Sequence, residues 1–174
     1  MVYYDIVDSP VGPLLLAVDG VGAAVRVAFL ATTAQEQAVG DLGEASSSLE
    51  RTGDLRRQLA EYFAGKRRSF ALRLAPIGTP FQRRVWDELR RISYGHVSSY
   101  ADLALRLGLR NGERAVGQAS AANPLPILIP CHRLVGSHGE LTGFGGGLDA
   151  KAFLLRLEKA PVPAAQLSLP LEEG

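Results

Sequence analysis

Cys131 is the only cysteine in a chain of 174 residues. It stands in Pro130-Cys131-His132-Arg133, directly after the apolar run Leu125-Pro126-Ile127-Leu128-Ile129. The thiolate is the nucleophilic form of cysteine, and neighbouring cationic groups lower the thiol pKa. A cysteine alone is more often an inert buried filler; the flanking Pro-Cys-His-Arg is what argues for covalent chemistry here. One cysteine excludes an internal disulfide and any Cys₄ or Cys₂His₂ zinc site, so neither a metal nor a cofactor is expected. Of the three histidines, His96 and His138 read as surface or loop residues.

These residues need elements to hold them. The first thirty residues read as a β-meander, with strands Tyr3–Val7, Pro13–Val18 and Ala23–Leu30 separated by turns rich in Gly, Pro and Asp. Residues 31–47 read as loop with a short helix. Leu49–Ala64 has helical periodicity stopped by Gly65, and Phe70–Leu74 reads as a strand. Pro76-Ile77-Gly78 marks a boundary, which predicts domains over 1–76 and 77–160 and a flexible tail over 161–174. The second half is helical. Thr79-Pro80 starts a helix with the apolar stripe Phe81, Val85, Trp86, Leu89 and Ile92. Ser99 caps another, which stops at Gly108, and Glu113–Ala122 forms a third, rich in small residues. Asp149–Lys159 is the last helix. Three short helices followed by an extended loop are the layout of a winged helix-turn-helix.

Composition bounds the class. The hydrophobic fraction of 47% and the charged fraction of 21% are those of a globular protein. No apolar run approaches about 18 residues, and the N-terminus has no secretory pattern, so a cytoplasmic protein is expected. The net charge of +1 is too small to argue for nucleic acid. Lys and Arg nevertheless outnumber Asp and Glu between residues 76 and 160, where a phosphate-facing surface would lie.

From about Thr79 to Glu158 the sequence resembles the O6-alkylguanine-DNA alkyltransferases, the methylated-DNA–protein-cysteine methyltransferases. The resemblance rests on Tyr94-Gly95-His96-Val97-Ser98-Ser99-Tyr100, Arg114-Ala115-Val116-Gly117, the block from Asn123-Pro124 to Arg133, and Gly145-Gly146-Gly147-Leu148. Residues 1–75 match the family's variable N-terminal domain only in general character. The fold class implied is α/β (α+β): a small N-terminal ribonuclease-H-like sheet domain and a C-terminal winged helix-turn-helix domain.

The activity implied is single-turnover, self-inactivating transfer of an alkyl group from O6-alkylguanine in double-stranded DNA, and from O4-methylthymine, to Cys131. His132 would act as base through a water and Glu158 would orient it. Asn123 would brace the turn before the active-site loop. Tyr100 would push the nucleotide out and donate to the guanine ring, while Arg114 would fill the gap in the stack. Ala115, Gly117 and Ser120 would lie with Arg114 on the DNA-binding helix. The main chain at Leu134 and the loop through Thr142, Phe144 and Gly145 would frame the base. Phe144 stands where some members have Tyr and lacks that hydroxyl.

A target oxygen inside a duplex cannot be attacked in line, so the nucleotide must leave the stack. A helix of small residues suits close approach to the minor groove, where readout is degenerate and sequence preference weak. Two other readings remain. A lesion-binding protein without repair activity would lack the acceptor cysteine. A cysteine hydrolase would need direct pairing of Cys131 with His132, which adjacent residues of an extended chain disfavour. Arg133 reads as a structural ion-pairing residue. Finally, Gln166-Leu167-Ser168-Leu169-Pro170-Leu171 resembles the clamp-binding hexapeptide of bacterial replication and repair proteins. Gln166, Leu167, Leu169 and Leu171 are therefore candidate contacts to the sliding clamp, made by a monomeric protein.

Overall fold

The structure is a computed structural model that describes residues 1–163. The chain divides into two compact units, Met1–Ile77 and Gly78–Gly174.

In the first unit, β1 (Val2–Val7), β2 (Leu14–Val18) and β3 (Ala24–Phe29) form the expected meander. The turn between β2 and β3 is held by Asp19, whose carboxylate accepts from Val21 N at 3.0 Å and Ala23 N at 2.9 Å. α1 (Gln35–Gly40), β4 (Ala45–Ser47) and α2 (Gly53–Phe63) follow. The sheet order is β3-β2-β1-β4, with β4 parallel to β1. Every residue of β2 is buried, which is why Leu14-Leu15-Leu16-Ala17-Val18 reads as a continuous apolar run rather than an alternation. Leu15 and Ala17 pack with Ala28 and with Ala38 of α1.

Three expectations are corrected here. β4 is a strand inside the stretch 31–47 expected to be loop with a short helix; its pairing with β1 supplies what Ala-Ser-Ser lacks in β-propensity. Phe70–Leu74 is not a strand and makes only the isolated bridge Ala24↔Leu74. Leu49 is exposed and precedes α2 rather than belonging to it.

In the second unit, α3 (Pro80–Leu89) opens with a full capping box: Thr79 Oγ1 accepts from Gln82 N, and Gln82 Oε1 accepts from Thr79 N. Its stripe Val85, Trp86 and Leu89 is buried. Gly78 is required by that packing, since a Cβ there would lie 2.3 Å from the Trp86 ring. β5 (Ser98–Ser99) leads into α4 (Tyr100–Arg106), capped by Ser99 Oγ at 3.0 Å from Asp102 N. α5 (Glu113–Ala121) is anchored from below by the Trp86 indole, which donates to Ala119 O at 2.9 Å. A 3₁₀ turn at Cys131–Arg133 runs into β6 (Leu134–Val135), parallel to β5, and α6 (Leu148–Leu157) closes the unit. No helix among the described residues is long and apolar enough to cross a membrane.

Candidate active site

The segment before Cys131 is folded by its own polar and proline residues. The Asn123 side chain donates to Ile129 O at 2.9 Å and accepts from Leu125 N at 2.9 Å, so one buried amide ties both ends of residues 125–129. Within that turn Ile127 is held at φ 74°, a conformation costly for a β-branched residue. Pro130 then takes φ −79° and ψ 66°, the inverse γ-turn geometry, and Cys131 N donates back to Ile129 O at 2.7 Å. The proline ring already fixes that φ. Cys131 is thereby delivered at the start of the 3₁₀ turn with 8% of its surface exposed.

This turn corrects the expectation of an extended chain, in which Cys131 and His132 would face opposite ways: the two residues share a helical turn. His132 is fully buried, and its Nε2 lies 2.7 Å from Glu158 Oε2. An ionised carboxylate only accepts hydrogen bonds, so Nε2 carries the proton and Nδ1 is the free acceptor. Nδ1 has no hydrogen-bond partner among the described residues. Arg133 forms the expected structural pair: Nε donates to Glu158 Oε1 at 2.8 Å, Nη2 to Oε2 at 3.0 Å, and Nη1 to Ile92 O at 2.7 Å. Glu158 is brought up by the end of α6, which packs on Tyr94-Gly95. Tyr94 OH donates to Leu157 O at 3.4 Å, and a Cβ at Gly95 would lie 3.2 Å from Glu158 O. The Tyr-Gly motif thus positions the carboxylate.

The charge states follow from burial and partners. Burial opposes ionisation of Glu158, but hydrogen bonds from His132 and Arg133 outweigh it and bring its pKa down to about 2. Burial lowers the His132 pKa and Glu158 only partly offsets this, so the imidazole is neutral and fit to accept a proton. Burial raises the Cys131 thiol pKa, opposed by a hydrogen bond from Asn123 and the positive charge of Lys151.

An open cavity of about 980 Å³ lies between α4, α5 and the loop after β6. Its walls include Tyr100, Arg114, Gly117, Thr142, Phe144 and Gly145, six of the residues singled out by sequence. Tyr100 OH and Thr142 Oγ1 are 2.7 Å apart. Burial raises the Tyr100 pKa despite that hydrogen bond, so the phenol keeps its proton. On α5, Arg114 and Ala115 are exposed on the outer face. Ser120 is buried with Val116 and Ala119 on the inner face of the helix, as the helical period requires. The Leu134 side chain is wholly buried, and its main chain pairs with Ser98 in the two-stranded sheet. Gln166, Leu167, Leu169 and Leu171 lie outside the described residues. Among the described residues no group of His, Cys, Asp and Glu could hold a metal ion. Sequence reasoning missed Lys151, which is fully buried in α6 and donates to Thr142 O at 3.1 Å.

Two family models match, one for each unit. Residues 2–76 match the ribonuclease-like domain of 6-O-methylguanine DNA methyltransferase, and residues 80–160 match its DNA binding domain. The methylated-DNA–protein-cysteine methyltransferase of Methanosarcina barkeri is 45% identical over 157 residues, covering 90% of this chain and 97% of the relative. The constitutive enzyme of Bacillus subtilis is 42% identical over 165 residues, covering 91% and 96%. The crystal structure of Mycobacterium tuberculosis O6-methylguanine methyltransferase superposes with a TM-score of 0.83 at 40% identity, covering 94% of this chain and 96% of that one. The same organism's protein in complex with DNA gives 0.82 at 38% identity, covering 95% and 97%. The chain belongs to the methylated-DNA–protein-cysteine methyltransferase family.

Proposed function

We propose that this protein repairs alkylated DNA by taking the alkyl group of O6-alkylguanine onto Cys131, once per molecule. The observation that carries this reading is the chain's single cysteine, held on one turn with a neutral His132 whose other nitrogen is tied to Glu158. His132 Nδ1 takes the thiol proton through a bridging water, and Glu158 stabilises the imidazolium that forms. The sulfur attacks the alkyl carbon in line. An S–C bond forms as the C–O6 bond breaks, the electron pair stays on the base, and the base takes a proton to leave as guanine. Tyr100, a protonated phenol on the cavity wall, supplies that proton in this reading and regains one from solvent. A thioether has no route back to a thiol, so each molecule acts once. O4-methylthymine, a similar alkylated oxygen on a flipped base, belongs to the same reading.

The cavity accommodates a base only after it leaves the stack. Arg114, exposed on α5 and lining the cavity, fills the gap that remains. The small outer face of α5 enters the minor groove, with the loop after β6 as the wing. The test uses a duplex with a labelled O6-methylguanine. Wild-type protein acquires one label per molecule, and Cys131→Ser binds the duplex but acquires none. Label on Cys131→Ser, or release of free methanol with repeated turnover, overturns the assignment.

Gln166–Leu171 is proposed as a docking peptide for the bacterial sliding clamp, which would raise the local concentration of protein at newly copied DNA. A chain ending at Ala165 should lose clamp binding and keep alkyl transfer; absence of clamp binding by the full chain defeats the idea.

A further inference from the structure

Lys151 holds a buried charge that the reaction above does not use. Its side chain has no exposed surface. A buried ammonium is unfavourable unless an anion accompanies it, yet among the described residues no carboxylate pairs with Lys151. Its Nζ donates to a neutral carbonyl, Thr142 O, at 3.1 Å. The nearby carboxylate is already committed: Glu158 meets Arg133 through both oxygens and accepts from His132. The single negative charge of Glu158 is matched by the single positive charge of Arg133, and His132 is neutral. With Cys131 as a thiol, the buried cluster carries one surplus positive charge, that of Lys151. With Cys131 as a thiolate, the cluster is neutral.

We propose that Lys151 is the countercharge of the Cys131 thiolate and fixes the cavity wall at Thr142 with the same ammonium group. The thiol proton passes through His132 to solvent, His132 returns to its neutral form, and the lasting ion pair is Cys131 with Lys151. Lys151 meets the Thr142 carbonyl and is coupled electrostatically to Cys131 and His132; Cys131 in turn is coupled to Tyr100, and Arg133 and Glu158 act on His132. Tyr100 keeps its proton in the resting protein, so before the reaction only Cys131 can supply a negative charge not already matched. Burial brings the Lys151 ammonium down to about 8, and the Cys131 charge opposes that fall. Lys151 also helps keep His132 neutral. Alkyl transfer replaces the thiolate by a neutral thioether, so it removes the anion on which Lys151 depends. Lys151 is a positioning residue: it acts through the sulfur and through Thr142, whose hydroxyl meets Tyr100.

This inference rests on Cys131 being the acceptor, but its test needs no DNA. The full chain is treated with iodoacetamide across a pH series, and the rate of Cys131 capping gives the thiol pKa. Lys151→Met should raise it by about one unit or more, which is about tenfold less thiolate at neutral pH; Lys151→Arg should recover most of the loss. An unchanged profile in folded Lys151→Met overturns the proposal. A second measurement uses wild-type protein alone. The chain has three lysines, Lys66, Lys151 and Lys159, so ¹³C-lysine NMR resolves each titration. Capping Cys131 with iodoacetamide should lower the Lys151 pKa and leave Lys66 and Lys159 where they were. An equal Lys151 pKa before and after capping overturns the proposal even if Lys151→Met fails to fold.

Discussion

The two units of this chain bury different kinds of residue. In Met1–Ile77 the buried positions are apolar except for Thr52 and Gln58, and none is charged. Gln58 is satisfied, accepting from Ala71 N at 2.8 Å and donating to Ala71 O at 3.2 Å. From Gly78 onward the described residues bury Arg133, Lys151 and Glu158, with His132, Asn123, Ser98 and Ser120. Apolar burial stabilises a fold directly, whereas a buried charge cluster often does no better than a hydrophobic replacement of the same volume. A unit shaped by stability alone would resemble the first. The second accepts desolvated charge in Arg133, Lys151 and Glu158, in the unit that holds the chain's only thiol and where the proposed chemistry would take place.

Contrasting substitutions test that difference. Glu158→Gln should have the largest effect, because it strands Arg133 as an unmatched buried cation at a cost of about 3–5 kcal/mol. It should also slow transfer by folded molecules at neutral pH by about 10²-fold, through loss of the group that orients His132. Leu16→Ala in β2 should cost about 2–5 kcal/mol through the cavity it leaves, with the rate per folded molecule unchanged. Urea unfolding and single-turnover kinetics on both variants measure this; a Leu16→Ala rate as low as that of Glu158→Gln would erase the distinction.

The same cluster sets an acid limit. The Glu158 pKa is about 2 in the folded protein against an ordinary 4.5. A depressed carboxyl pKa gives stability that is complete above the unfolded value and lost as pH falls through the folded one. Unfolding free energy should therefore drop between about pH 4.5 and 2, and Glu158→Gln should flatten the drop across that window. A Glu158→Gln curve parallel to wild type would show that the loss arises elsewhere.

Much of this contrast is legible in the sequence, and what is not has definite causes. Pro-Cys-His-Arg marks the turn that holds the thiol, Asn123 ties the segment before it, and Tyr100 and Thr142 meet on the cavity wall. The helices of the second unit are bounded by Thr79-Pro80, Ser99 and Gly108, side-chain and backbone signals that act locally. Lys151 was missed because a lone lysine on a helix reads as solvated; its neighbours Ala150, Ala152, Leu154 and Leu155 are all buried, and that small apolar surround was the available signal. β4 and the end of the first unit depend on pairing between distant segments, which local composition does not encode. The burial of Ser120 follows from its spacing of one helical turn from Val116.

Smaller effects sharpen the picture of the cavity. Arg114→Ala and Tyr100→Phe should slow repair of duplex DNA at least about tenfold more than reaction with free O6-benzylguanine, which needs no flipping. Comparable losses on both substrates would move these residues into the chemical step. Phe144→Tyr should change the rate least, by about fivefold to tenfold, the worth of one net hydrogen bond to the base; a larger change would mean that the ring at 144 does more than stack.

The central claim is that Cys131 is the acceptor and acts once. Intact-protein mass spectrometry after incubation with a molar excess of an O6-methylguanine duplex tests it most directly, with peptide mapping of the product. The account predicts a mass gain of one methyl group on every active molecule, located on Cys131, with lesion consumed in equal amount and none thereafter. Unmodified protein alongside a larger amount of repaired DNA, or a methyl group on any other residue, would contradict it.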